Sequence, residues 1–371
     1  MEFQITAEAE QVRDAISGYL ARYNDLATRT ATSRSEPGWR DSFWHGMASE
    51  LGLQGLLVPE DFGGVGAAPS VMMVVLQEIG AALVLEPFAV TAAVAAPVLA
   101  KCPMGEGTLH TIAEGKTRVA IHLDDEGPVN NRLIARKTDR GWSLDGSLEV
   151  VTGAPMANLL LASARTDAGA VLLCVPLDCP GLRMTAYPTI DGGRAANLEF
   201  TNVLLDEQAI LAQGGEADEL IAYAAAWRAA TLGAEAIGVM RRLFADTRDY
   251  TKNRVQFGQP ISRFQVLQHR MVDMFINVEM ADAAVTGAFA ALDDEAATRQ
   301  MLETSVAALK VVVLDSMRFV AENAIQLHGG MGMTDELAVS HYFRRAIAIG
   351  LELGADSNAL AEIRRSSTLA A

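Results

Sequence analysis

Residues 254–274 read RVQFGQPISRFQVLQHRMVDM. Apolar residues fall at Val255, Phe257, Ile261, Phe264, Val266, Leu267, Met271 and Met274, and from Ile261 onward the spacing is helical. Gly258 and Pro260 interrupt the pattern before it, which predicts a kink between two helices. Arg254, Gln256 and Gln259 bracket the kink with no acid among them. One guanidinium and two amides at a bend form a donor set for an anionic or carbonyl-rich ligand. A solvated turn in front of an apolar helix accounts for the same residues without any ligand. Spacing by itself leaves both readings open.

Helical patterning extends on both sides of this stretch. Residues 217–249 read as a long alanine-rich helix, and 254–291 and 296–328 as two more. QLHGGMGMTDEL, residues 326–337, is a helix end opened by glycines, and His341 begins the terminal helices. Residues 1–115 also read as helices, with Thr6 as a capping start. LGLQGLLVPEDFGGVG, residues 51–66, carries Pro59 and the Gly63–Gly64 pair, which force a loop before a helix from about Ser70. Pro87 divides the apolar run beyond it into two helices. Between these blocks, residues 116–211 change character. Arg132–Lys137 and Trp142–Gly146 read as a hairpin around Asp139-Arg140, and short strands recur up to Val203. The expected fold class is therefore α+β in three domains. A helical domain (1–115) precedes a middle β-barrel or sandwich (116–211) and a C-terminal four-helix bundle (212–371).

Half of the 371 residues are apolar, enough for a large core, and the net charge of −16 argues against nucleic-acid binding. The three cysteines, Cys102, Cys174 and Cys179, are odd in number with mostly apolar neighbours, so a disulfide framework is not expected. No Cys/His cluster suggests a metal, and no uncharged run reaches the length of a membrane span. The acidic N-terminus lacks an apolar signal core, which together with the cysteines implies a cytoplasmic location.

The string R-x-x-F-G-x-P-I-x-x-F-Q-x-x-Q-H beginning at Arg254 resembles the signature of the acyl-CoA dehydrogenases, flavoenzymes that desaturate acyl thioesters. The resemblance extends over nearly the whole chain. The 51–66 segment is similar to the family's L-G-x-x-G-x-x-x-P-E-x-x-G-G-x-G, which lies near the acyl pocket, and 326–332 to its Q-x-x-G-G-x-G. The resemblance implies FAD held at a subunit interface. Arg254, Phe257 and Gln265 would reach across to it, and Gln326, Gly329 and Gly330 would bring their main chain and amide to its phosphate side. It also implies that Thr152, in the VVTG that replaces the family's W-I-T-N-G, approaches the flavin N5 region. An acyl-CoA substrate, an electron-transfer flavoprotein or similar acceptor, and a homo- or hetero-tetramer with a second acyl-CoA dehydrogenase chain complete the expectation.

Desaturation removes a proton from Cα and a hydride from Cβ, so a carboxylate must stand against the α-carbon. The family places it in one of two positions, and here those are Leu353 and Arg228. Glu352 is one residue away, a rotation of about 100° on a helix. The family's substrate-gripping Asp and Arg fall on Ala226 and Ala229. The loop that should carry T-E-P-x-A-G-S-D reads IHLDDEGP from Ile121, with three acids where a phosphate-bearing ligand would lie. The catalytic residue is thus unassigned. Three readings stand side by side: a FAD-binding subunit completed by a partner chain, a self-sufficient enzyme using Glu352 or Asp356, and a non-catalytic binding or scaffold protein of the same fold. The ending GMTDELAVSHYFRR resembles the smaller chains of bacterial two-chain members, which favours the first.

Overall fold

A computed structural model of the chain describes residues 6–123 and 132–354. Six helices come first: α1 (Ala7–Tyr23), α2 (Leu26–Ser33), α3 (Asp41–Ser49), α4 (Pro69–Ala81), α5 (Ala96–Leu99, entered through a π-helical stretch Ala89–Ala95) and α6 (Glu106–Ala113). Next come strands β1 (Val119–His122), β2 (Arg132–Thr138), β3 (Gly141–Thr152), β4 (Leu159–Thr166), β5 (Gly169–Pro176), β6 (Leu182–Pro188), β7 (Arg194–Leu205) and β8 (Ile210–Gln213). Helix α7 (Gly215–Asn253) leads through two short strands, β9 (Val255–Gln256) and β10 (Gln259–Pro260), to α8 (Gln265–Asp293), α9 (Arg299–His328) and α10 (Ala338–Leu353). The order of helices, sheet and helical bundle is the expected fold class. Thr6 caps α1 through its hydroxyl, which accepts from the Ala9 amide at 3.2 Å, and the chain breaks between α4 and the Ala89 stretch around Pro87.

Packing gathers the described residues into two compact units, one drawn from Met1–Arg29, Pro69–Val84 and Ala229–Ala371, the other from Thr30–Ala68 and Leu85–Arg228. The first is helical. Gly80 on α4 faces the main chain of Glu235 on α7, and Gly238 faces Gln77 and Ala81; a Cβ at either would collide with backbone, so the two helices touch only because both positions are glycine. Gln77, 2% exposed, binds across this crossing: its carbonyl accepts from Arg241 at 2.8 Å and its amide donates to Asp282 on α8 at 3.1 Å. The second unit is built on one eight-stranded sheet in the order β6-β7-β3-β2-β4-β5-β8, with β1 paired to β4. Leu144, Leu160, Leu173, Leu198 and Val203 are fully buried in its core beside Trp142 and Phe200.

Two differences from expectation stand out. Residues 255–260 are a β-hairpin rather than a kink between helices: β9 and β10 pair antiparallel, and Phe257 and Gly258 both take positive φ, +53° and +77°. That is the backbone of a two-residue turn whose twist matches its strands. The second concerns α8. No uncharged run is long enough to span a membrane, yet Gln265–Asp293 is long and apolar enough to do so by length and composition. Its Asp282 is engaged by Gln77 and by Arg241 at 3.1 Å, the behaviour of a bundle helix.

Candidate functional site

The residues singled out around Arg254 hang on the C-terminal end of α7. The last turn continues into Arg254, whose amide donates to the Tyr250 carbonyl at 2.8 Å, and the hairpin closes when the Ile261 amide returns to the Arg254 carbonyl at 2.8 Å. Arg254 is exposed, and its guanidinium makes no ion pair or hydrogen bond among the described residues. Phe257 forms the hairpin tip with 91% of its surface exposed, its ring set edge-on to Phe264 at 6.1 Å between ring centroids. Gln265 opens α8, exposed and likewise without a side-chain partner among the described residues.

The second cluster terminates α9. Gln326 lies exposed in its last turn, and the chain leaves the helix at Gly329 with φ +62° and ψ −143°, a conformation essentially confined to glycine. A Cβ at Gly329 or Gly330 would meet nothing within 4 Å, so this main chain is open to approach by a ligand. Tyr250 joins the two clusters. Its ring stacks on His328 at 4.3 Å, and its hydroxyl donates to the His328 carbonyl at 3.3 Å. The exposed cation, two unengaged amides, open glycine backbone and protruding aromatic suit a ligand that carries both phosphate and a planar ring. Sequence reasoning passed over Tyr250 and His328. The only signal for the first was its place one helical turn before Arg254.

Thr152 lies in the sheet unit at the end of β3, in register with Ala195 and half-buried. Gly153 comes next with φ +78° and donates to the Arg194 carbonyl at 2.8 Å, which turns the chain sharply after the threonine. A groove of about 480 Å³ in this unit is lined by Thr108, Thr117, Asn158, Leu159 and Met184, among others; none of the seven residues singled out for the cofactor lines it. The three acids of the 124–128 loop and Asp356 fall outside the described residues.

Neither base position offers a carboxylate. Leu353 is 5% exposed at the end of α10, and Arg228 is half-buried on α7 between the buried Ala226 and Ala229. Trp227 beside it is 2% exposed and meets the edge of Tyr223 at 6.4 Å. Glu352 is engaged elsewhere: Arg345 donates to it at 3.1 Å while gripping Glu235 through two bonds of 2.6 and 2.8 Å. The acid next in sequence to Leu353 is thus held within a three-charge cluster with Arg345 and Glu235.

Known proteins share this architecture. Residues 6–106 match the acyl-CoA dehydrogenase N-terminal domain and residues 219–367 the acyl-CoA dehydrogenase C-terminal domain. The acyl-CoA dehydrogenase IpdE2 of Mycobacterium tuberculosis is 29% identical over 346 residues, covering 91% of each chain. Among solved structures, the ChsE4-ChsE5 complex of the same organism superposes with a TM-score of 0.92 at 23% identity, covering 99% of both chains. A Tcur3481-Tcur3483 steroid ACAD variant does so with a TM-score of 0.89 at 25% identity, again over 99% of both. From both terminal domains and the full-length match, the chain belongs to the acyl-CoA dehydrogenase family.

Proposed function

We propose that this chain is a FAD-binding subunit of an acyl-CoA dehydrogenase whose catalytic base is supplied by a second, related chain. The observation that carries the reading is the state of the base positions: a buried leucine at 353, a cation at 228, and a neighbouring glutamate committed to Arg345. FAD bound at this site would supply the hydride acceptor that desaturation at the substrate Cβ requires. Arg254 would hold its pyrophosphate, Gln326 and the Gly329–Gly330 main chain its adenosine-phosphate side, Phe257 and Gln265 would extend over a neighbouring subunit, and Thr152 would meet the flavin N5 edge.

The cofactor residues fit this role. All of them except Thr152 are exposed, and among the described residues none has a side-chain hydrogen bond or ion pair, as suits groups that act across an interface. Helix α8 supports an assembly too: Val272, Phe275, Ile276 and Met280 are each about half exposed, at 54%, 49%, 47% and 54%, at spacings that share one helix face. Two solved relatives are two-chain assemblies by name, and one of them is a steroid enzyme. We therefore favour a hetero-tetramer acting on a bulky, steroid-derived or fatty acyl-CoA, with an electron-transfer flavoprotein as acceptor and a cytoplasmic location. The test is direct. Flavin absorbance of the purified chain, alone and with a family partner chain, should appear in the assembly, and desaturation should appear only with the partner. An assembly that never retains flavin would leave the scaffold reading standing instead.

A further inference from the structure

We infer that Tyr250 is a positioning residue for the cofactor: it fixes the Gly329–Met333 turn against the Arg254 hairpin so that both act on one ligand. The inference rests on the FAD reading of this site. Tyr250 touches both parts of it. Through its main chain it accepts the Arg254 amide at 2.8 Å, and through its ring and hydroxyl it holds His328, the last residue of α9. His328 is 6% exposed, and its Nδ1 lies 2.8 Å from the Ala324 carbonyl, so that nitrogen carries the proton and donates. The imidazole is thereby fixed on one side by its own helix and on its face by Tyr250.

The turn after His328 needs that anchorage. Gly329 departs in a backbone region open to glycine alone, and the chain beyond it folds back onto the histidine. A Cβ on Gly332 would stand 3.1 Å from the His328 Cβ and 3.0 Å from the Ile325 carbonyl. The take-off direction of this turn therefore depends on where His328 stands, and Tyr250 sets that from the helix that also carries Arg254.

The experiment uses the full chain in its flavin-retaining assembly, with FAD as the probe. Tyr250→Leu removes ring and hydroxyl and should weaken FAD binding by about tenfold or more. Tyr250→Phe keeps the stack, loses one hydrogen bond, and should fall between, at about two- to fivefold. Hydrogen exchange of the apo-chain supplies a readout independent of flavin: amides of Gly329–Met333 should exchange faster in Tyr250→Leu while those of Val306–Ser316 in mid-α9 stay as in wild type. FAD affinity within twofold of wild type in both variants, or unchanged exchange in the turn, overturns the inference. A wild-type assembly that binds no FAD overturns the cofactor reading itself, and exchange then still decides whether Tyr250 holds the turn.

Discussion

Phe257 combines two costs that an isolated chain has no reason to bear: a non-glycine residue at positive φ, and a large aromatic 91% exposed. Both make sense at a tip that enters another subunit. Arg254, at the base of the same hairpin, makes the sharper prediction. Arg254→Ala should lower the flavin-to-protein ratio of the purified assembly, and Arg254→Lys should restore it only in part, since a point charge does not reproduce two parallel bonds to a pyrophosphate. Unchanged stoichiometry in Arg254→Ala removes the residue from the site. His341 makes a prediction in pH. Its Nδ1 lies 3.4 Å from Arg29 and 3.3 Å from Arg344, and its Nε2 lies 3.2 Å from the Asp335 carbonyl, so the neutral ring donates through Nε2 and accepts through Nδ1. Burial first, then the two guanidiniums, push its pKa below the ordinary value, against an opposing pull from Asp335. Unfolded chains then bind more protons than folded ones at mildly acid pH. The stability this ring contributes is complete above the unfolded value of about 6.5 and is lost as pH falls through the folded one. Melting temperature should drop between pH 7.5 and 5.5, and His341→Gln should flatten that drop; an equal slope in the variant would exclude His341 as its source.

At the scale of elements, α10 is fastened to α7 by charge. Arg345 and Glu235 lie 110 positions apart, with side chains 16% and 6% exposed, and Glu352 adds a second acid to the same guanidinium. Removing the arginine strands a buried carboxylate. Arg345→Ala should therefore destabilise the chain by about 3–5 kcal/mol in urea unfolding, whereas Glu235→Leu combined with Arg345→Leu should recover most of that loss. A single variant as stable as wild type would mean that the cluster is already solvated. This contact was illegible in the sequence, because nothing in the periodicity of either helix pairs residues so distant. What was legible rests on local chemistry: the Thr6 cap, the break at Pro87, the Asp139-Arg140 hairpin turn and the glycine stop after His328 each depend on a few adjacent residues. The hairpin after Arg254 was misread for a complementary reason. Phe-Gly has no local preference for a turn with two positive φ values, so only the surrounding structure holds Phe257 there. The candidate site divides in the same way. Arg254, Gln265, Gln326 and the glycines were visible as a string of letters, while Tyr250 acquires its role only when two helix ends meet.

For the whole molecule the question is where the proton goes. A general base contributes about 10²- to 10⁴-fold to turnover, so its loss is unmistakable. Glu352 is the carboxylate next in sequence to the vacant position at Leu353, and the structure gives it different work: it shares Arg345 with Glu235 near the end of α10. To act as a base it would have to leave that cation and turn toward the face that Leu353 occupies, and Leu353 is buried. Glu352→Gln should therefore lower turnover of the active assembly by less than about tenfold, the scale of a perturbed neighbour rather than a missing base. The Arg345–Glu235 pair survives that substitution, so the variant should fold and the measurement stay interpretable. The companion expectation is that the chain alone, loaded with FAD, desaturates no acyl-CoA, and that activity appears on adding a partner that brings its own carboxylate. If the isolated chain turns over an acyl-CoA and Glu352→Gln abolishes it, the base lies in this chain, Arg345 must release it during the reaction, and the two-chain reading falls.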